Sequence, residues 1–330
     1  MEINLDQLLS DIEAPEAEAG NTSRYQVLKI PGFDKHYIGK DINGAPCLLI
    51  SSTDSGVKPP LRLAGIEAYF ALQCQILEAD DQEKVETLTV VTCTAREPSL
   101  QTYFCYVGEV LLKIIGVSPT LQQVAEAVWK LVALFQKLSQ PPAKPVMGLW
   151  GELYAIYRSQ NPALAMQAWR SGTDDRFDFS MQNLRMEVKT TGTRTRTHEF
   201  SFEQCNLPSD TKGVLVSLIA EPTGSGTTLR SLIDRINGQI RNNAELVLKL
   251  YNNVADTLGQ SLTSALDKGF DERIASDSLG LFDLNEIPAL RFPVPEHISS
   301  IRFKSDLSSA SPQEVEGFSL EAQISSILPR

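Results

Sequence analysis

Two short stretches of alternating residues, 176–181 and 184–190, are separated by only Gln182 and Asn183. A two-residue connection between alternating strands fixes the register of an antiparallel hairpin. It sets Met181 opposite Leu184, Ser180 opposite Arg185, Phe179 opposite Met186, and Asp178 opposite Glu187. Directly opposed side chains lie roughly 4.5–5.5 Å apart at Cβ, where like charges repel. A cation between Asp178 and Glu187 would turn that penalty into a binding site. The period of two puts Phe177, Phe179 and Met181 on one face with Leu184, Met186 and Val188, which reads as core. Asp178, Glu187 and Lys189 share the other face, with Arg176 and Arg185 alongside.

The rest of the chain supplies the frame for this hairpin. Strand signals at 25–30, 36–40, 47–52, 68–77 and 85–93 precede helical spacing at 99–115 and 121–138. An acidic turn at 78–83 separates the last two strands. The Pro-rich stretch 140–145 is the clearest linker. Beyond it, helices are expected at 146–159 and 163–171, then the hairpin and a Thr/Arg-rich loop at 190–197. A buried strand at 213–220, helices at 228–240 and 244–258, and strands at 289–292 and 298–303 complete the reading. The expected organisation is an acidic segment 1–23, a β-rich domain 24–140 of unassigned role, and a second domain 145–330. The fold class is α/β (α+β).

Charge and cysteine usage narrow the class. The net charge of −11 argues against a histone-like binder, but residues 1–23 carry six acids (Glu2, Asp6, Asp11, Glu13, Glu16, Glu18) and no Lys or Arg. A local basic groove elsewhere is therefore compatible with the total. The five cysteines are scattered in apolar contexts and read as buried free thiols, and the three histidines are too dispersed for a zinc cluster. No apolar run approaches the roughly 18–20 residues that cross a bilayer. With no basic, apolar secretion signal at its start, the chain is expected to be cytoplasmic.

Glu187-Val188-Lys189 is uninformative as a tripeptide. Acid-x-Lys occurs twice, the other instance being Asp210-Thr211-Lys212, about what 41 acids and 14 lysines in 330 residues produce by chance. Only the first follows an Asp on a paired strand, with apolar residues on the opposite face. Glu152 joins it from the helix at 146–159, where it borders an apolar stripe of Leu149, Trp150, Leu153 and Ile156. Gly148 and Gly151 on that helix would permit close approach of another backbone.

Taken together, Gly148-Leu149-Trp150-Gly151-Glu152-Leu153, Arg176-Phe177-Asp178-Phe179, Glu187-Val188-Lys189-Thr190-Thr191, His198 and Phe200-Ser201-Phe202-Glu203-Gln204 resemble the PD-(D/E)XK nucleases of bacterial restriction-like, phage-defence gene clusters. The Pro of the motif name is absent, since Phe177 precedes Asp178. The resemblance implies a restriction-endonuclease-like core with a mixed central sheet flanked by helices. It further implies a Mg²⁺ site, with Mn²⁺ as a substitute, held by Asp178, Glu187 and the Val188 main-chain carbonyl. Hard oxygen ligands that leave room for water and phosphate suit that ion. Lys189 would orient the attacking water and stabilise transition-state charge. Glu152 would complete the site through a water or a second ion.

Arg194, Arg196, His198 and Gln204 are candidates for DNA contact. For the first two a solvated loop is an equal alternative, for His198 a structural ring, and for Gln204 a capping box with Ser201. The leading function is a Mg²⁺-dependent DNA endonuclease of an anti-phage system. A non-catalytic DNA-binding or scaffold subunit of a defence complex is the main alternative, and a metal-binding scaffold without nucleic acid is a third. DNA is the expected partner. Other defence-system proteins and a homodimer stay open, and a membrane is not expected.

Overall fold

The structure, a computed structural model, describes residues 3–16, 23–63, 65–78 and 83–330. Glu2, Glu18, residues 17–22 of the expected acidic segment and the middle of the 78–83 turn lie outside the described residues. The chain divides into two compact units, Met1–Gln140 and Pro141–Arg330. No helix among the described residues is long and apolar enough to cross a membrane.

The first unit holds α1 (Leu5–Ser10), β1 (Arg24–Lys29), β2 (His36–Asp41), β3 (Pro46–Ile50), β4 (Leu61–Leu63), β5 (Ile66–Leu77), β6 (Glu83–Cys93), α2 (Pro98–Ile115) and α3 (Leu121–Leu138). Its strands run β1-β2-β3-β6-β5-β4, and β1 also pairs in parallel with β5, so the sheet closes on itself. Closure gathers Tyr25, Val27, Tyr37, Cys47, Leu49, Cys74, Ile76, Leu88 and Val90 into one core. The long strand β5 bends at a register shift between Tyr69 and Leu72, where Ala71 takes a φ of +49°. The closed form was not expected from the strand signals, because a parallel β1–β5 pairing is non-local. All five cysteines are buried free thiols, and burial pushes the Cys93 thiol up to about 11.

The second unit begins with α4 (Val146–Arg158) and α5 (Pro162–Ala168), then β7 (Phe179–Met181), β8 (Leu184–Thr191), β9 (Thr197–Ser201), α6 (Phe202–Cys205) and β10 (Lys212–Ile219). It continues with β11 (Pro222–Thr228), α7 (Leu229–Ile240), α8 (Ala244–Leu258), α9 (Leu262–Ala265), β12 (Gly269–Phe270), α10 (Glu272–Ser278), β13 (Gly280–Asp283), β14 (Arg302–Asp306) and α11 (Ala322–Ser325). The central sheet is mixed, in the order β13-β10-β8-β7. β8 is parallel to β10, while β13 and β7 run antiparallel to their neighbours. The hairpin register is the one its two-residue turn requires, with Phe179 opposite Met186, Ser180 opposite Arg185 and Met181 opposite Leu184. Gln182 turns the chain at a φ of +48°.

Two expected strands are corrected. Residues 289–292 form no strand: Pro288, Pro293 and Pro295 remove donors around them, and Leu290 and Phe292 are solvent-exposed. The last strand lies at Arg302–Asp306, paired with β9, and not at 298–303. The first hairpin strand is also shorter than expected, starting at Phe179 and not at 176.

The helix α4 lies on β8 and brings Glu152 toward the hairpin. A Cβ added at Gly151 would fall on the Thr190 hydroxyl, whereas one at Gly148 would meet nothing within 4 Å. Of the two glycines, only Gly151 is required by close approach. Gly151→Ala is therefore expected to lower stability by about 1–3 kcal/mol through overpacking. Gly148→Ala, in open space, should leave it unchanged or raise it by up to about 1 kcal/mol through helix propensity. Urea unfolding of both variants checks the contrast.

Candidate functional site

The site grows from the point where β7 stops. In a two-residue hairpin whose closing pair is Met181–Leu184, alternate pairs exchange hydrogen bonds, so the Val188 N–H points toward the β7 side. Strand pairing has ended by then, and the Asp178 side chain takes the position of the missing backbone partner. Its Oδ2 accepts from the Val188 N–H at 3.0 Å. The backbone of Asp178 turns away, its carbonyl accepting from the Arg170 N–H at 2.8 Å. Because N–H and C=O of one strand residue face the same edge, the Val188 carbonyl is directed to the side where Asp178 sits.

Glu187 and Lys189 lie beside this edge. The Lys189 Nζ is 2.7 Å from Glu187 Oε1 and sits 5.5 Å above the centre of the Phe200 ring. Glu187 is 5 % exposed, and its Oε2 is buried with no hydrogen-bond partner among the described residues. Burial first, and the Asp178 charge second, hold the Glu187 carboxyl up at about 7, against the pull of Lys189 and Lys144. The ladder ends before Asp178 would pair with Glu187, so the expected cross-strand opposition is not formed, although the Asp178 charge still acts on Glu187.

Glu152 is buried at the other end of the same row, and its environment differs. Its Oε2 accepts from Trp169 Nε1 at 2.7 Å and Arg170 Nε at 2.9 Å, and its Oε1 from Lys144 Nζ at 3.3 Å. The same Lys144 ammonium reaches Asp178 Oδ1 at 3.1 Å. Burial and the Asp178 charge push the Glu152 carboxyl upward, while Arg170 and Lys144 oppose them. Burial disfavours the Lys144 ammonium, yet Glu152 and Asp178 more than compensate and raise its pKa. Arg170, whose side chain is fully buried, also donates to Thr257 Oγ1 at 2.7 Å.

Lys144 and Arg170 were not singled out by sequence. Lys144 stands in a proline-rich stretch that reads as linker, and Arg170 follows a short helix. Both find their acids through long-range packing. The one local hint is the Trp169-Arg170 pair itself, two side chains with polar heads that demand partners if buried.

The four DNA-contact candidates fall into two groups. Arg196 donates from Nη1 to the Ser217 carbonyl and hydroxyl at 2.8 Å each, and from Nη2 to the Ser278 carbonyl. His198 is buried, with Nε2 2.8 Å from Ser217 Oγ. Gln204 forms the capping box with Ser201 and also donates to the Arg176 carbonyl at 3.0 Å. These three are engaged inside the unit. Arg194 alone among them projects outward, its side chain 89 % exposed and 3.7 Å from Glu221.

Among the described residues no group of three or more His, Cys, Asp and Glu side chains is gathered for a metal. The donor set on offer is smaller: two carboxylates, of which Glu187 has an uncommitted buried oxygen, and one main-chain carbonyl. All are hard oxygens, few enough to leave room for water, which fits Mg²⁺. Glu152 fits less well as a direct ligand, since both its oxygens already accept from cationic or N–H donors.

Residues 7–308 match the model of a family described as "Putative PD-(D/E)XK family member". Proteins of the PD-(D/E)XK superfamily are usually nucleases, and they typically use divalent metals. No curated protein and no solved structure matches the chain.

Two measurements test the electrostatics. Arg170→Met removes one partner of a buried pair and is expected to cost about 3–5 kcal/mol in unfolding free energy. His198 is depressed from 6.5 to about 4, by burial first and then by Lys189 and Arg196. Folding thus favours the neutral ring, so its stabilising contribution is complete above pH 6.5 and is lost as pH falls toward 4. Melting curves of wild type and His198→Gln should show the wild-type advantage shrinking across that window.

Proposed function

The chain belongs to this PD-(D/E)XK family, and from that premise we propose that it is a Mg²⁺-dependent DNA endonuclease hydrolysing phosphodiester bonds. We place it in restriction-like anti-phage defence, on the resemblance of residues 148–204 to proteins of such clusters. The observation that carries the catalytic reading is the convergence of Asp178, Glu187 and Lys189 at the edge where β7 stops. There, one Glu187 oxygen is buried without a partner. Buried acids with a perturbed carboxyl and a lysine beside them are the kind of arrangement in which pKa values are tuned for catalysis.

Asp178, Glu187 and the Val188 carbonyl would hold the ion. When bound there, a divalent cation supplies Lewis-acid polarisation of the phosphate and acidifies water. Glu187 holds the Lys189 ammonium in place, and the Phe200 ring supports it from below. From that position Lys189 donates to the phosphate oxygen on which charge develops, or to the attacking water. Glu152 acts through the residues it fixes, Lys144 and Arg170. Arg194 contacts a backbone phosphate, while Arg196, His198 and Gln204 hold β9 and the approach to Asp178.

The alternative, a non-catalytic DNA-binding or scaffold subunit, draws on Lys144, which already neutralises Asp178 and Glu152. Plasmid cleavage with Mg²⁺ separates the two. Asp178→Ala and Lys189→Ala are each expected to lose at least about 10²-fold in rate. Equal degradation by wild type and both variants would assign the activity to a contaminant. DNA retardation in Ca²⁺ without cleavage in Mg²⁺ would favour the subunit reading.

A further inference from the structure

We infer that Lys144 takes the place of a second divalent cation, making this a one-metal centre with a built-in ammonium between Asp178 and Glu152. The inference rests on the nuclease reading above and specifies how many ions the site accepts.

The geometry bears on this directly. Lys144 Nζ lies 3.1 Å from Asp178 Oδ1 and 3.3 Å from Glu152 Oε1, so one positive charge bridges the two acids farthest from Lys189. A second Mg²⁺ bridging them would need carboxylate oxygens at about 2.0–2.1 Å and would have to expel that ammonium. Glu152 offers it little, since Arg170 and Trp169 already hold its other oxygen. At the opposite end, Glu187 Oε2 is buried with no hydrogen-bond partner among the described residues, which is the open place for an ion.

Lys144 is anchored as a component of the site. The Ala143 N–H donates to the Thr257 carbonyl at 2.9 Å, and the Thr257 hydroxyl accepts from Arg170 Nη2 at 2.7 Å. The residue that fixes the Lys144 backbone therefore also fixes the guanidinium that neutralises Glu152. Pro145, the N-cap of α4, limits the backbone directly after Lys144.

Charge balance gives the arrangement a purpose. Lys144, Arg170 and Lys189 face Glu152, Asp178 and Glu187, three basic groups against three acids, so with all three carboxylates ionised, as ion binding at Glu187 would require, the row is neutral. One dication raises it to +2. That matches the dianionic transition state of phosphodiester hydrolysis without a second ion.

Isothermal titration with Ca²⁺, in the absence of DNA, counts the ions. Wild type and Lys144→Arg are expected to bind one. Lys144→Gln, which frees Asp178 and Glu152 of their shared cation, is expected to bind two. Asp178→Asn should bind none. Two ions in the wild type would overturn the inference while leaving the nuclease reading intact. So would a Lys144→Gln variant that keeps one ion at unchanged affinity. No ion in the wild type would instead remove the metal reading itself, and the inference with it. If Lys144→Gln does not fold, two ions in the wild type or in Lys144→Arg would still overturn the inference.

Discussion

The site depends on one exchanged hydrogen bond. Had β7 continued past Phe179, the Val188 N–H would have bonded to the backbone of its strand partner, and the edge of β8 would have been closed. Instead the chain leaves the ladder at Asp178, and a carboxylate oxygen takes that N–H at 3.0 Å. A side-chain acceptor thus replaces a main-chain one, which satisfies the donor. The Arg170 N–H, bonding to the Asp178 carbonyl, sets where the chain departs. Register alone would have put Asp178 opposite Glu187 in a continuous ladder. Early termination instead leaves the Asp178 carboxylate, itself buried, bonded at the buried β8 edge beside Glu187.

What keeps such an edge folded is compensation along a row of charges. Buried carboxylates are costly unless paired, and each of these three has a cationic neighbour. Glu152 is the most fully satisfied, with Arg170, Trp169 and Lys144; Asp178 has Lys144 and an N–H; Glu187 has Lys189 alone and an oxygen left over. The graded satisfaction separates support from chemistry. The Glu152 end, where both carboxylate oxygens are engaged although Arg170 Nη1 has no partner among the described residues, ties α4, the residues after α5 and α8 together through Arg170 and Thr257. The incompletely satisfied end is where a further cation would gain most.

Much of the local structure was legible in sequence. Two-residue spacing fixed the hairpin register, and the Ser201–Gln204 capping box was recognisable from its spacing. Helical period located α2, α3, α7 and α8 to within a residue or so. What escaped were features set by distant partners. Closure of the first sheet needs β1 to find β5, some fifty residues on, and no local pattern records that pairing. Residues 289–292 have strand-like composition but no partner to complete a ladder. Lys144 escaped for a related reason: a lysine among prolines resembles a solvated linker unless two acids from other elements meet it.

The same reasoning explains why residue type was a better guide to the acids than to the bases. An acid on a strand has its direction fixed by the period of two, which holds for Glu187 on β8, whereas Asp178 lies just before β7 and its carboxylate turns to the Val188 N–H. Long cationic side chains carry no such constraint, because four or more rotatable bonds let the head travel well away from its Cα. Arg196 stands in a loop that looks exposed, yet its head bonds to Ser217 and Ser278. Lys144 and Arg170 likewise reach inward. Arg196 ends on carbonyls and a hydroxyl, while Lys144 and Arg170 end on the buried carboxylates that need their charge.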